Sequence, residues 1–592
     1  MALPQGGESG RPGQRSCDLV GTGVFVATSV AVYLRLFYAV DLTDDAFYTA
    51  LPYSFALGHR PLADELAAHQ FAGILLLPLF KAYLGLVGSN VGIVLFARHL
   101  YFAVSLAAAL VTRHTLSVSF GSRAGSFAGA LALAYIPFLL PALSYNSIAC
   151  LCMLVGTMLL ATACMPGKGP AWLVAGTASV AAASFAYPPV IIAGAGTLGL
   201  TLAAFWAVRE TAARKTALFT VLGTGAFLTT AGIATIFHFG TLEDLHRLSD
   251  TNEALAYQGG GVDKIVMILQ ETWFQLPYLL ALALTLGGVL ACIRRLRKDW
   301  LAAALAACTG PLLLVVAVAY KPWREPFTTA PFVLIELGLL APFALRLFRR
   351  NISPHAFAGL SMVVASSILS ALVILWATAN GLRNAALGLL PASLVTFACM
   401  GLLRPSGSGS KMKTLGSRFV YPALALSIIT YQVAQVWTQV YRDSPIAMLN
   451  TRIAQGAWKG VYTTEGKARF VEGFINDLRA QRGKAETVMF TDYFPGGYLL
   501  SDLRPRTPAL WLFPWNDVHQ GTREVREIYA RELGDEESFP DLLVRIKCVP
   551  VHTLMPVPQR AGDPLALRLL GGGYTPAVTR PCYEVSRRGK GS

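Results

Sequence analysis

Long apolar runs, separated by short charged connections, fill the chain from residue 19 to residue 437. A helix needs about 20 apolar residues to cross a bilayer, and about 13 runs reach roughly that length. They are residues 19–40, 92–111, 124–143, 147–165, 171–190, 191–208, 217–237, 273–293, 300–319, 328–347, 356–378, 385–403 and 419–437. One further run, 71–87, is interrupted by Pro78, Lys81 and Gly85. The first run follows Arg11 and Arg15 and is too long for a removable signal peptide, so it reads as an uncleaved first helix.

Counting charges decides which side each loop occupies. If 71–87 does not cross, Arg113, Arg123, Lys168, Arg209, Arg214, Lys215 and the basic clusters at 294–298, 346–350 and 404–418 all share the N-terminal side. If it crossed, every later basic loop would move outside, against the positive-inside tendency. The expectation is that 71–87 dips into or lies along the outer leaflet. Residues 1–18 are then a cytoplasmic tail, and 19–438 a membrane domain with a long first outer loop, 41–90. Residues 439–592 form an extracytoplasmic domain. That last part alternates helical patterns (467–481, 523–532) with short β-like runs (487–490, 543–546), which predicts a small α/β domain. The fold class is thus mostly α: a polytopic transmembrane helix bundle with a small extracytoplasmic α/β C-terminal domain.

Composition agrees. The chain is 54% hydrophobic and 14% charged, against about 25% charged in a soluble protein, which excludes an ordinary cytosolic enzyme. The net charge of +15 comes from Lys and Arg beside apolar runs, as in cytoplasmic loops, and gives no reason to expect a nucleic-acid partner. Nine cysteines are too scattered for a metal framework. Cys548 and Cys582 are the only two in the polar C-terminal part, where an oxidising exterior makes them a disulfide candidate; the alternative is two separate buried thiols. No Walker-type or dinucleotide pattern is present.

The sharpest chemistry is Asp41-Leu-Thr-Asp44-Asp45-Ala-Phe-Tyr48, just beyond the first helix. A carboxylate held there at fixed depth can act as a general base on a hydroxyl, and two can divide the labour. Plain interfacial solvation is the duller alternative. Asp64, Glu65 and His69 follow, and on a helix Glu65 and His69 would share a face. They read as acceptor-side support, together with Tyr145 and Asn146, or as a surface ion pair. A divalent metal ion, if one is bound, would take Asp44, Asp45, Glu65 and His69. Arg98 lies inside the second span, where charge is costly. It would bind a lipid phosphate, snorkel to the interface or pair with an acid of the loop. Lys321 and Arg324, flanking Trp323, read as a second anion clamp or as a cationic interfacial anchor.

This arrangement resembles the GT-C class of membrane glycosyltransferases, which includes protein O-mannosyltransferases, the lipid A aminoarabinose transferase and arabinofuranosyltransferases. The resemblance rests on the spans, the first-loop motif Thr43-Asp44-Asp45-Ala-Phe-Tyr48, the segment Leu57-Gly58-His59-Arg60-Pro61 and the turns Ser144-Tyr145-Asn146-Ser147 and Tyr187-Pro188-Pro189. In the tail it rests on Gly460-Val-Tyr-Thr463-Thr464 and Pro495-Gly496-Gly497-Tyr498. It implies a polyprenyl-phosphate-linked sugar donor, a glycan, lipid or protein acceptor among membrane lipids, and inversion at the anomeric carbon. It also implies a first-loop base, Asp44 or Asp45, with Asp44 preferred, and a bacterial plasma membrane as the location. Two departures stand out: Gln70-Phe71-Ala72 where many relatives have Lys-Pro-Pro, and Asn146 where many carry a second acid. The phosphate contact would then fall to Arg98, Lys321 or Arg324. A non-catalytic scaffold of the same class and a lipid or solute transporter are the competing functions.

Overall fold

The computed structural model describes residues 12–256, 261–293, 299–319, 330–378, 380–402, 411–512, 520–549, 555–556 and 562–589. Along the first part come α1 (Pro12–Arg35), α2 (Asp44–Ala56), α3 (Gln70–Val87), α4 (Ile93–Phe120), α5 (Ser122–Ala134), α6 (Tyr145–Ala163), α7 (Ala171–Ala186) and α8 (Ile191–Val208). There follow α9 (Thr211–Phe239), α10 (Leu242–Ala256), α11 (Gly261–Ala291), α12 (Asp299–Ala319), α13 (Ala330–Phe348), α14 (Pro354–Ala377), α15 (Ala385–Cys399) and α16 (Lys411–Thr438). Among the described residues nine helices are long and apolar enough to cross a membrane, or ten if the two halves of α11, bent by 54°, form one span. Leu19–Arg35, Ala171–Ala186 and Trp300–Val316 are shorter apolar helices. α3 is among the nine, so length does not set it apart from the others; the argument for a dipping segment rests on charge alone.

One expected span takes a different form. The run 124–143 is not one helix: α5 stops at Ala134, and the chain stays irregular to Ser144, with Phe138 and Leu139 at φ 54° and 58°. Pro137 and Pro141 remove backbone donors and block helix continuation. Irregular backbone at membrane depth is tolerated only when protein surrounds it, and all but Phe138 of these residues are buried. Ser144 then starts α6, its hydroxyl accepting the Ser147 amide.

The C-terminal part holds β1 (Thr451–Arg452), β2 (Tyr462–Thr463), α17 (Glu465–Arg482), β3 (Thr487–Phe490), α18 (Gly496–Ser501), β4 (Arg504–Pro505), α19 (Gln520–Glu532) and β5 (Leu542–Ile546). It closes with β6 (Cys548–Val549), β7 (Met555–Pro556), α20 (Pro564–Leu570), β8 (Tyr574–Thr579) and β9 (Tyr583–Arg588). The main sheet runs β4-β3-β5-β9-β8, with β3 parallel to β4 and β5, and β9 antiparallel to β5 and β8. Its buried side takes α17, whose Phe474 packs on Phe490 and Tyr583. Cys548 and Cys582 are joined in a disulfide, Cα to Cα 4.8 Å.

This part is stitched to the first loop through main-chain bonds. The Ala39 amide donates to the Tyr462 carbonyl, the Leu66 amide to Pro508 and the Gly496 amide to Leu42. At Gly496 a Cβ would lie 2.8 Å from the Leu42 carbonyl oxygen, so the close approach of α18 requires glycine.

Candidate active site

Asp41 shapes the entrance to α2. Its carboxylate accepts the amides of Thr43 and Asp45, both at 2.9 Å, and the Thr43 hydroxyl. A helix turns about 100° per residue, so neighbouring side chains diverge. Asp44 and Asp45, at the first two positions of α2, therefore meet different surroundings.

Asp45 points into protein. It is 1% exposed and pairs with Arg98 at 2.5 Å. Arg98 also donates from Nη1 to the carbonyls of Leu36 and Tyr38 and from Nη2 to that of Ala39, while Nε reaches Asp45. All five guanidinium N–H groups thus have partners. Arg98 is the internal partner of a loop acid, and reading it as a donor-phosphate ligand gives way: no N–H remains for a phosphate.

Asp44 points the other way, into a cavity of about 520 Å3. Arg442 Nη1 lies 2.7 Å from Oδ2, which also accepts the Tyr441 hydroxyl; the Tyr493 hydroxyl donates to Oδ1 at 3.4 Å. Arg442 lies over the rings of Tyr441 and Tyr493, at 4.9 and 5.3 Å from their centroids. Burial pushes the Asp44 carboxyl up to about 7; Arg442 opposes this, Asp41 adds to it, and the two tyrosine hydroxyls oppose it. A carboxylate of that affinity is suited to take a proton near neutrality.

The cavity wall is aromatic and polar. Tyr145 lines it and stacks on His69, ring centroids 4.1 Å apart. Burial lowers His69 to about 4, so its imidazole is neutral at physiological pH. Asn146 joins them from the first turn of α6. Trp511 stands edge-on to Phe47 and Tyr493, at 4.8 and 4.5 Å. From α10, α11 and the turn before α15 come Asn252, Glu271, Asn380 and Arg383.

The remaining sequence expectations fall elsewhere. Glu65 and His69 do not share a helix face, because the chain from Gly58 to His69 is turns and loop and α3 starts only at Gln70. Asp64 makes a surface pair with Arg60 at 2.8 Å. Glu65 is buried, accepts the Leu510 amide at 3.0 Å and faces His59 at 3.5 Å, so it ties the first loop to the C-terminal part. Asp44, Asp45, Glu65 and His69 consequently do not converge on one ion. Among the described residues no three His, Cys, Asp or Glu side chains gather as a metal site. Lys321 and Arg324 lie outside the described residues.

Sequence reading missed Tyr441, Arg442 and Tyr493. The available signal was Tyr441-Arg442-Asp443, a polar triplet immediately after the last apolar run and on the same predicted side as the first loop.

No protein-family model matches the chain, and no curated protein matches it. Among solved structures the chain is similar to the oligosaccharyltransferase AglB of Archaeoglobus fulgidus in complex with an inhibitory peptide and a dolichol-phosphate. Identity there is 11% and the TM-score 0.46, covering 89% of this chain and 69% of that one. It is similar also to the same organism's oligosaccharyltransferase in complex with Zn and sulfate, at 12% identity and TM-score 0.47, covering 88% and 68%. A third likeness is to ArnT of Cupriavidus metallidurans bound to undecaprenyl phosphate, at 13% identity and TM-score 0.38, covering 95% and 97%.

Proposed function

We propose that the chain is a membrane glycosyltransferase. It moves a sugar from a polyprenyl-phosphate donor to an acceptor hydroxyl or amine at the outer face of a bacterial plasma membrane. The observation that carries this reading is Asp44: a buried carboxylate, poised near neutrality, facing a cavity large enough for a sugar and its acceptor. The first-loop motif that resembles the GT-C class supports it from the sequence side.

Asp44 takes the acceptor proton as the acceptor attacks the anomeric carbon. The bond from that carbon to the phosphate oxygen breaks, polyprenyl phosphate leaves with the electron pair, and the configuration inverts. Arg442 touches Asp44 itself, so it stands on the acceptor side, where its charge keeps the base ionised against burial. The phosphate departs from the opposite face of the sugar. Arg383, which lines the cavity from a different element, is the described cation suited to stabilise it there; Lys321 and Arg324 are further candidates. His69, Tyr145 and Asn146 would orient the sugar or the acceptor by stacking and hydrogen bonding.

The test is donor consumption by the full chain in lipid discs, with a panel of polyprenyl-phosphate sugars and membrane extract as the acceptor source. Release of free polyprenyl phosphate from one donor, followed by mass spectrometry, is the expected result. Folded protein that releases none across the panel, with acceptor present, would overturn the reading in favour of a scaffold or transporter.

A further inference from the structure

We propose that Lys467 is a positioning residue for the transfer reaction: through the main chain on both sides of the site it holds Arg442 against Asp44. This rests on the reading of Asp44 as the base.

Arg442 is a non-glycine residue at φ 50°. Left-handed backbone disfavours a side chain and persists only where the surroundings over-determine it. Here they do. Lys467, in the first turn of α17, is 3% exposed and absent from the cavity wall. Its ammonium donates to the carbonyl of Arg442 and to that of Val40, each at 2.9 Å, and pairs with Asp443 at 3.2 Å. An ammonium has three donors, and these three partners use them. Asp443 in turn accepts the Val40 amide at 2.7 Å, the Thr463 hydroxyl at 2.8 Å and the Ser444 amide at 2.8 Å.

One nitrogen thus fastens two strands of chain together. Val40 immediately precedes the Asp41–Asp45 turn that aims the base, and Arg442 carries the cation that meets it. A buried ion pair is often no more stabilising than well-packed apolar residues, so the cluster is poorly explained by stability alone. Its geometry fixes a distance, the 2.7 Å between Arg442 and Asp44.

The groups facing Asp44 are Asp41 and Tyr48 from the first loop and α2, Tyr145 from α6, Tyr441 and Arg442 after α16, and Tyr493 before α18. Arg442 is the cation among them. If it drifts, burial and Asp41 act on the carboxyl with less opposition, and Asp44 ionises at higher pH.

The experiment compares wild type, Lys467→Met and Lys467→Arg in lipid discs, measuring kcat/KM against pH. In Lys467→Met the acidic limb should move up by about one pH unit, the low end of what a nearby opposite charge contributes. Loss at pH 6 should exceed loss at pH 9, and Lys467→Arg should recover most of the shift. A limb that stays in place, or a uniform loss at every pH, would overturn the proposal. Should Lys467→Met not fold, Lys467→Gln is read by the same criteria. Should wild type turn over no donor, the transferase reading fails separately. The Asp44 carboxyl is then titrated by infrared difference against Asp44→Asn: an upward shift in Lys467→Met sustains the positioning role, and no shift removes it.

Discussion

Asp44 and Asp45 are adjacent in the chain and opposite in surroundings: Asp45 is sealed against Arg98 at 2.5 Å, while Asp44 faces a cavity beneath Arg442 at 2.7 Å. A step of about 100° around the helix therefore separates an acid sealed in an ion pair from one that faces a cavity. Substitutions at the two positions should have different signatures.

The first prediction concerns pH. Burial holds the Asp44 carboxyl protonated up to about 7, and only the carboxylate accepts a proton. Transfer should rise as pH climbs through about 7 and fall about tenfold per unit below it. Arg442→Gln removes the opposing charge and should push the midpoint higher. Initial rates across pH 5–9 check both.

The second concerns the buried pair. Asp45→Asn leaves Arg98 charged and buried without its counter-charge. Removing one partner of such a pair costs about 3–5 kcal/mol. Thermal denaturation should show Asp45→Asn destabilised by an amount of this order, whereas Asp44→Asn, at the cavity wall, should melt close to wild type.

Part of the architecture was legible because apolar run length is a local property: most of the expected spans find a helix, although among the described residues nine helices, α3 included, are long and apolar enough to cross, or ten with α11 as one span, and not about 13. The exception, 124–143, failed where Pro137 and Pro141 break the helix while the composition stays apolar. The acid motif was legible for the same local reason. Its partners were not: Tyr441 lies 397 positions from Asp44 and Tyr493 lies 449, and no periodicity links them. The Glu65–His69 pairing failed because Glu65 serves the Leu510 amide, a contact made only once the C-terminal part docks.

That docking gives the third prediction. Glu65→Ala leaves the buried Leu510 amide without its acceptor, at a cost of about 1–3 kcal/mol. Limited proteolysis should then cut the C-terminal part faster than in wild type, while the membrane helices resist.

A fourth concerns the disulfide. It closes a loop with a sequence separation of 34, and losing such a link costs about 2–4 kcal/mol. Cys548→Ser with Cys582→Ser should lower the melting point and leave the pH profile of transfer unchanged at temperatures where the protein is folded.

The cavity wall supplies the fifth. Tyr145→Ala removes the ring stacked on His69 at 4.1 Å, an aromatic contact worth about 0.5–1.5 kcal/mol. A loss of about 3–10-fold in kcat/KM is expected, read from steady-state kinetics.

The central claim is that Asp44 is the base of a sugar transfer. Single-turnover release of polyprenyl phosphate by Asp44→Asn, beside wild type and a folded Asp45→Asn, tests it most directly. Asp44→Asn should lose about 10²–10⁴-fold, with donor still bound and the fold intact. Release by Asp44→Asn at the wild-type rate would contradict it.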